Sequence, residues 1–296
     1  GIHFVDAKGS NANAVVDYCF TALAFATLHR GFSLSGSRVG IVGAGAVGGL
    51  FATKLEELGV EVRCYDPFLV AAVQGNRKYY SLDEVLECDV VSLHVPLTSA
   101  GVHSTLNLIG DAELTALTKN AILINACRGG VVDELALKSL LLIREDIMTV
   151  FDVWENEPAI ESSLAQCVDI ATPHIAGYSA EAKSNATKIL ALEFERYFRL
   201  GPAIEEEAGK ENPGILVVED APGESAQWST LLTALPLDEL SEQFKRALSD
   251  GVGTEAFDTF RQKILTRREF ISRRLRRDTY SLFQQQQLTV LGFRFE

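Results

Sequence analysis

The 296-residue sequence has no apolar run near the roughly 18 residues a membrane-spanning helix needs, and its start lacks a basic-then-apolar signal pattern. A membrane partner is not expected. Positive charge is in short supply: 27 Lys and Arg stand against 40 Asp and Glu, a formal net charge of −13. Nucleic-acid phosphates are held by concentrated positive fields, so a nucleic-acid surface is not expected either. A helix terminus or a local basic pocket can still hold a small anion. The five cysteines (Cys19, Cys64, Cys88, Cys127, Cys167) are odd in number and lack CxxC spacing. That argues against a disulfide framework and fits reduced thiols in a cytoplasm. No metal site is expected. Methionine is scarcer still, with Met148 alone and Gly1 in first place, so the sequence is expected to begin inside a longer reading frame.

What is present is a globular composition, 47% hydrophobic and 23% charged, over a length that suggests two or three domains. Apolar strands are expected at 38–42, 60–65, 89–94, 121–125, 147–153 and 168–171. Helices are expected at 11–29, with Asn11 or Asn13 as cap, and at 46–58, 133–142 and 179–199. Strands alternating with helices in this way imply an α/β fold, a doubly wound parallel sheet of Rossmann type. After Gly201-Pro202 the composition changes. An acidic, turn-prone linker runs from Glu205 through Pro213-Gly214, with a strand start at 215–218 and helices at 237–248 and 254–265 after it. Leu288 to Phe295 alternates apolar with other residues like a closing strand, which would leave an exposed edge in a monomer. This stretch reads as a separate α+β module.

Gly43, Gly45 and Gly48 form a GxGxxG between a strand and a helix, with Asp66 at the end of the next strand, 18 residues after Gly48. Glycine lets the backbone turn tightly and approach a pyrophosphate, and the helix that follows presents bare N–H groups to it. An acid at the second strand end can accept from both ribose hydroxyls and repel a 2′-phosphate, which favours NAD over NADP. Alternatively Asp66 merely starts the turn Asp66-Pro67.

Three segments follow in order: Ile124-Asn-Ala-Cys-Arg-Gly-Gly-Val-Val-Asp133, Phe151-Asp-Val-Trp-Glu-Asn-Glu-Pro158 and Thr172-Pro-His-Ile-Ala-Gly-Tyr-Ser179. Each brings one chemically useful group. Arg128, just past a buried strand, offers a planar fork that grips a carboxylate through paired hydrogen bonds; a structural ion pair is its plainer reading. His174 can take the proton of a substrate hydroxyl. A carboxylate against its ring would fix the tautomer and favour the charged form. Glu157 is the expected partner, with Glu155 and Asp152 as competitors, and Asp152 could instead meet the nicotinamide amide. His94-Val-Pro-Leu-Thr98 is expected to line the nicotinamide-ribose pocket, and Cys127 to be a small lining residue rather than a nucleophile. His3, His29 and His103 receive no role. The six arginines at 267, 268, 273, 274, 276 and 277 read as a helix face paired with carboxylates of this chain or a partner subunit.

Over residues 1 to about 200 these motifs resemble the D-2-hydroxyacid dehydrogenase family. Within it, Lys8-Gly-Ser-Asn-Ala-Asn-Ala-Val-Val-Asp17, Ala126-Cys-Arg-Gly-Gly-Val-Val132, His174 to Ser179 and Leu291-Gly-Phe-Arg-Phe295 are similar to a member that oxidises a small phosphorylated hydroxy acid and carries a C-terminal dimerisation domain. The resemblance implies NAD as cofactor and a homodimer. It implies that Arg128 and Glu157 are catalytic and that His174 is the general acid/base. Gly43, Gly45, Ala46, Val47, Gly48, Asp66, Val95, Ala126, Cys127, Arg128, Asp152 and Gly177 would contact NAD, and Tyr178 the substrate. Val95 stands where such members have threonine, which removes a hydroxyl but not a backbone contact. The implied division is a remnant of the substrate domain with a linking helix (1–32), the NAD-binding domain (33–174), a helix returning to the substrate domain (175–202) and a dimerisation domain (203–296). Members begin with several βα units of substrate domain, and this sequence enters at that domain's last strand, as a piece of a longer chain or as a shortened form. A phosphoglycerate or hydroxypyruvate type of member, or an NAD-sensing binding module, are the alternative readings.

Overall fold

The computed structural model describes residues 2–72, 77–200, 215–218, 223–251 and 253–296; the acidic linker expected at 205–214 lies outside them. Six parallel strands, β1 (Arg38–Val42), β2 (Glu61–Tyr65), β3 (Val90–Leu93), β4 (Ile122–Asn125), β5 (Met148–Phe151) and β6 (Ile170–Ala171), form one sheet in the order β2-β1-β3-β4-β5-β6. An isolated bridge from Tyr79 to Cys64 adds the trace of a further strand outside β2. Strands β3, β4 and β5 are buried at every position, so they are mostly apolar without the alternation of a half-exposed strand, and their polar members Ser92, Asn125 and Thr149 are buried with the rest. Chain order reverses direction on the two sides of β1, and the carboxyl ends of β1 and β3 therefore border the crevice where such sheets bind ligands.

One core lies between the sheet and α1 (Ala12–Arg30) with α2 (Ala46–Glu57). Helix α1 is buried nearly all round, because α9 (Ala226–Ala234) packs on its other side. The opposite core is covered by the short helices α4 (Leu82–Leu86), α5 (Asp111–Ala116), α6 (Glu134–Leu141) and α7 (Ser162–Cys167), whereas α3 (Pro67–Ala72) follows β2 near the edge and packs Leu69 on the first core. Helix α8 (Ala180–Phe198) buries only Ala182 and leaves Leu192, Phe194 and Phe198 exposed.

The described C-terminal residues join both cores. Leu231, Phe270, Phe293 and Leu291 belong to the α1 side, and Phe244 of α10 (Leu237–Ser249) with Phe257 of α11 (Gly253–Ile264) belong to the other. Helix α10 also closes the sheet edge: Ser241 Oγ accepts the Ala171 N–H at 2.9 Å, and the Lys245 ammonium donates to the Val168 and Asp169 carbonyls. Among the described residues, these C-terminal segments thus pack directly on the main body.

Three expectations for this region are corrected. Residues 288–295 are not a closing strand; Leu282–Leu291 is helix α12, and only Arg294–Phe295 (β8) pairs, in parallel, with Arg274–Leu275 (β7). Ser281 and Gln284 make a reciprocal capping box that starts α12, and Gly292, at φ 117°, ends it. Likewise 215–218 contributes only a bridge from Ile215 to Arg274. The six arginines do not form a helix face either. Arg267 is buried in a loop, Arg268 pairs with Glu181 at 2.6 Å, and Arg274 on β7 pairs with Glu296 at 3.8 Å.

Candidate active site

Every group singled out in the sequence follows the carboxyl end of a strand. Gly43 follows β1, Asp66 β2, His94 β3, Arg128 β4, Asp152 β5 and His174 β6. The glycines differ in what they permit. Gly43 has φ +90°, and a Cβ there would meet the His94 carbonyl at 2.7 Å; a Cβ on Gly48 would lie 2.0 Å from the Gly43 carbonyl. Only glycine closes this turn against the first residues of α2. Around Gly45 a Cβ would meet nothing within 4 Å, so the space in front of the α2 N-terminus is open. An open cradle before bare N–H groups fits a pyrophosphate. The Asp66 carboxylate accepts the Ala44 N–H at 3.0 Å and those of Phe68 and Leu69 at 3.1 Å, so it both supports the glycine loop and starts the turn into α3.

A cleft of about 270 Å³ opens beside this loop, lined by Asn11, Val15, Val47, His94, Val95, Pro96, Ala126, Cys127, Arg128, Asp152, His174, Gly177 and Tyr178. Thus the residues expected at cofactor and substrate come to one wall, while Gly43, Gly45, Ala46, Gly48 and Asp66 form the adjoining loop. Arg128 is exposed; one of its terminal nitrogens donates to the Cys127 carbonyl at 2.5 Å. His174 takes a left-handed backbone conformation, φ 56°, held by its N–H on the Asp152 carbonyl at 2.6 Å. Its Nδ1 meets Glu157 Oε2 at 2.7 Å, leaving Nε2 free to face the cleft. The other carboxylate oxygen of Glu157 accepts the Trp154 N–H at 2.9 Å, which fixes the acid's orientation.

One competitor for that pairing, Asp152, is occupied elsewhere. Asp152, fully buried, accepts from Thr172 Oγ1, from the Ile175 N–H and from the Ala176 N–H at 2.7 to 2.8 Å. Burial raises its proton affinity, against the pull of His174 and of those three donors. It is the post around which residues 172–176 are wound. Glu155 turns its N–H to Glu134 at 2.6 Å. Burial pushes the Cys127 thiol up to about 11, which suits a lining residue and not a nucleophile. Burial lowers the His94 imidazole to about 4, so it stays neutral as it bonds Ser92 Oγ at 2.9 Å.

Sequence reasoning missed three contributors. Asn11 sits at the N-cap of α1 without a capping bond; its side chain instead lies against Gly177, where a Cβ would come within 2.4 Å of Nδ2. Arg267 donates to the Ala176 and Ala14 carbonyls at 3.1 and 2.6 Å, and so ties the His174–Tyr178 loop to α1. Arg261 stands 3.6 Å from Glu157 Oε2. Asn11 lies within the Lys8–Asp17 motif, but nothing local marks the two arginines.

Comparison with known proteins matches residues 22–176 to the family described as D-isomer specific 2-hydroxyacid dehydrogenase, NAD binding domain. The chain is similar to the erythronate-4-phosphate dehydrogenase of Cellvibrio japonicus (strain Ueda107), at 38% identity over 99% of this chain and 78% of the relative. It is similar also to that of Pseudomonas putida (strain W619), at 39% identity over 96% of this chain and 76% of the relative. Among solved structures it is similar to a NAD-bound 3-phosphoglycerate dehydrogenase of Entamoeba histolytica (TM-score 0.54, 26% identity, 66% of this chain and 64% of that one). A NAD complex of a formate dehydrogenase from Staphylococcus aureus gives a TM-score of 0.52 at 25% identity, over 67% of this chain and 65% of that one. With the glycine loop, the acid at the end of β2 and the strand-end residues in place, the chain belongs to the D-isomer specific 2-hydroxyacid dehydrogenase family and carries that family's NAD-binding domain.

Proposed function

We propose that this chain oxidises 4-phospho-D-erythronate at C2 to 2-oxo-3-hydroxy-4-phosphobutanoate, a step of pyridoxal 5′-phosphate synthesis. The observation that carries the reading is the meeting of Arg128 and the His174–Glu157 pair in one small cleft beside the glycine loop, and the names of the relatives supply the substrate. NAD would be held by Gly43, Gly45, Ala46, Val47, Gly48 and Asp66, with Val95, Ala126, Cys127, Asp152 and Gly177 lining its site, and would supply the acceptor for the C2 hydride. Arg128 grips the carboxylate and the C2 oxygen through its fork of donors. His174 takes the hydroxyl proton on Nε2. Glu157, bonded to Nδ1, keeps the ring in the right tautomer and stabilises the imidazolium that forms. Tyr178, on the same wall, contacts substrate.

The test is a panel of 4-phosphoerythronate, 3-phosphoglycerate, glycerate and D-lactate with NAD, in wild type and in His174→Asn. We expect the highest kcat/KM with 4-phosphoerythronate. The variant should lose roughly 10²–10⁴-fold in turnover and keep NAD binding. Preference for another acid would overturn the substrate, and near-normal turnover in the variant would overturn the base.

The finer organisation is also proposed. Residues 1–32, 33–174, 175–202 and 203–296 form the division set out from the sequence. The last of these pairs with its copy in a homodimer, a reading supported by the exposed apolar side chains of Val217, Ile271, Leu282 and Phe283. Sedimentation as a monomer would contradict it. Five unpaired thiols, four of them buried, suit the cytoplasm.

A further inference from the structure

Helix α11 lies outside the residues matched by the family's NAD-binding domain, yet it reaches the catalytic pair. Phe257 and Phe260 seat its apolar face in the core beside the dyad loop. One helical turn after Phe257, the Arg261 guanidinium carbon lies 5.6 Å from the ring centroids of both Phe257 and Tyr178. A terminal nitrogen of Arg261 stands 3.6 Å from Glu157 Oε2, the oxygen that His174 Nδ1 meets at 2.7 Å. The Arg261 side chain is 26% exposed, and its Nε is buried without a hydrogen-bond partner among the described residues. So one carboxylate oxygen is shared by two cationic groups, one of them permanent.

The surroundings explain why a fixed cation matters there. Asp152, on the loop after β5, acts on His174 through its charge. Glu134, at the start of α6, lies within electrostatic reach of Glu157, Glu155 and Glu161. From α11 the facing charge is Arg261, and Arg128 lines the cleft. A guanidinium on Glu157 draws off part of the carboxylate's field and repels an imidazolium.

We propose that Arg261 is a positioning residue for the His174–Glu157 pair, setting the pH at which His174 becomes free to accept the substrate proton. The proposal rests on the reading of that pair as catalytic. Its stacking on Tyr178 and Phe257 holds the guanidinium where it can do this without a tight bond to Glu157.

Compare wild type, Arg261→Gln, Arg261→Lys and His174→Asn by the pH profile of kcat/KM for whichever 2-hydroxy acid is oxidised fastest. Follow the His174 ring proton by NMR in the NAD-bound protein alongside, assigned with His174→Asn. Arg261→Gln should move the acid limb to higher pH by about half a unit or more, a threefold or greater loss on the acid side, with the ring signal moving the same way. NAD affinity should be unchanged and Arg261→Lys should restore most of the shift. An acid limb and ring titration unmoved in Arg261→Gln would overturn the proposal, even if KM for the acid rose, since that would make Arg261 a recognition group for the substrate's anion. A limb and ring signal in wild type that His174→Asn leaves untouched would overturn the catalytic pair itself, and the role of Arg261 with it.

Discussion

Gly129 lies directly against the main chain of Trp154: a Cβ on residue 129 would fall 1.9 Å from the Trp154 carbonyl oxygen and 2.7 Å from the Glu155 nitrogen. The loop that presents Arg128 is thereby pressed on the loop that presents Glu157, and the separation of the two functional groups is set by backbone contact. Neither neighbour is a flexible side chain that could step aside. The Trp154 N–H is also the donor that orients Glu157.

It follows that Gly129→Ala should lower stability by about 2–4 kcal/mol through overpacking. It should lower kcat by more than it changes NAD affinity, because the shift falls on the Trp154–Glu157 segment. Denaturant unfolding and steady-state kinetics would check this. A variant within about 0.5 kcal/mol of wild type would mean that the two loops separate easily.

Asp66→Ala should narrow the preference for NAD over NADP by about tenfold or more, since it removes a ribose acceptor and a charge that repels a 2′-phosphate. The same carboxylate supports Ala44, Phe68 and Leu69, so some affinity for both cofactors should go with it. Asp66→Asn keeps an acceptor oxygen and separates the two effects. An unchanged ratio of kcat/KM values in both variants would reduce Asp66 to a loop support.

Much of this was legible because the sheet is buried on both faces. Val90–Leu93, Ile122–Asn125 and Met148–Phe151 are apolar but for the buried Ser92, Asn125 and Thr149, and the candidate site residues follow them. The pairing of His174 with Glu157 instead of Asp152 was legible in outcome, but its cause was not. Asp152 is consumed by Thr172, Ile175 and Ala176, contacts that exist only once residues 172–176 are wound. The strand expected at 288–295 failed because a two-residue alternation over so short a stretch competes with helix signals. Ser281 with Gln284 marked the helix start, and Gly292 its end. Arg261 and Arg267 stayed hidden for a different reason. Each acts on the site from about 90 to 100 residues away along the chain, reaching Glu157 and Ala176 with no local pattern to announce it.

Glu134 provides a pH test of the ground beneath the His174–Glu157 pair. It is 7% exposed, and burial, with the charges of Glu155, Glu161 and Glu157, pushes its carboxyl up to about 7 against the Glu155 N–H that bonds it. In the unfolded chain it titrates near the ordinary glutamate value, about 4.3. Between those two pH values the folded state holds a proton that the unfolded state has lost, so folding stability falls as pH rises through this window. The contribution is fully present below about 4.3 and gone above about 7. Glu134→Gln keeps the acceptor for Glu155 but does not titrate. The stability of wild type minus that of Glu134→Gln should therefore drop by on the order of 2–3 kcal/mol from pH 4.5 to pH 8, with groups common to both proteins cancelling in the difference. Urea unfolding at several pH values measures it. A flat difference would mean that Glu134 is ionised in the folded protein throughout, and that the carboxylates around Glu157 crowd it less than their positions indicate.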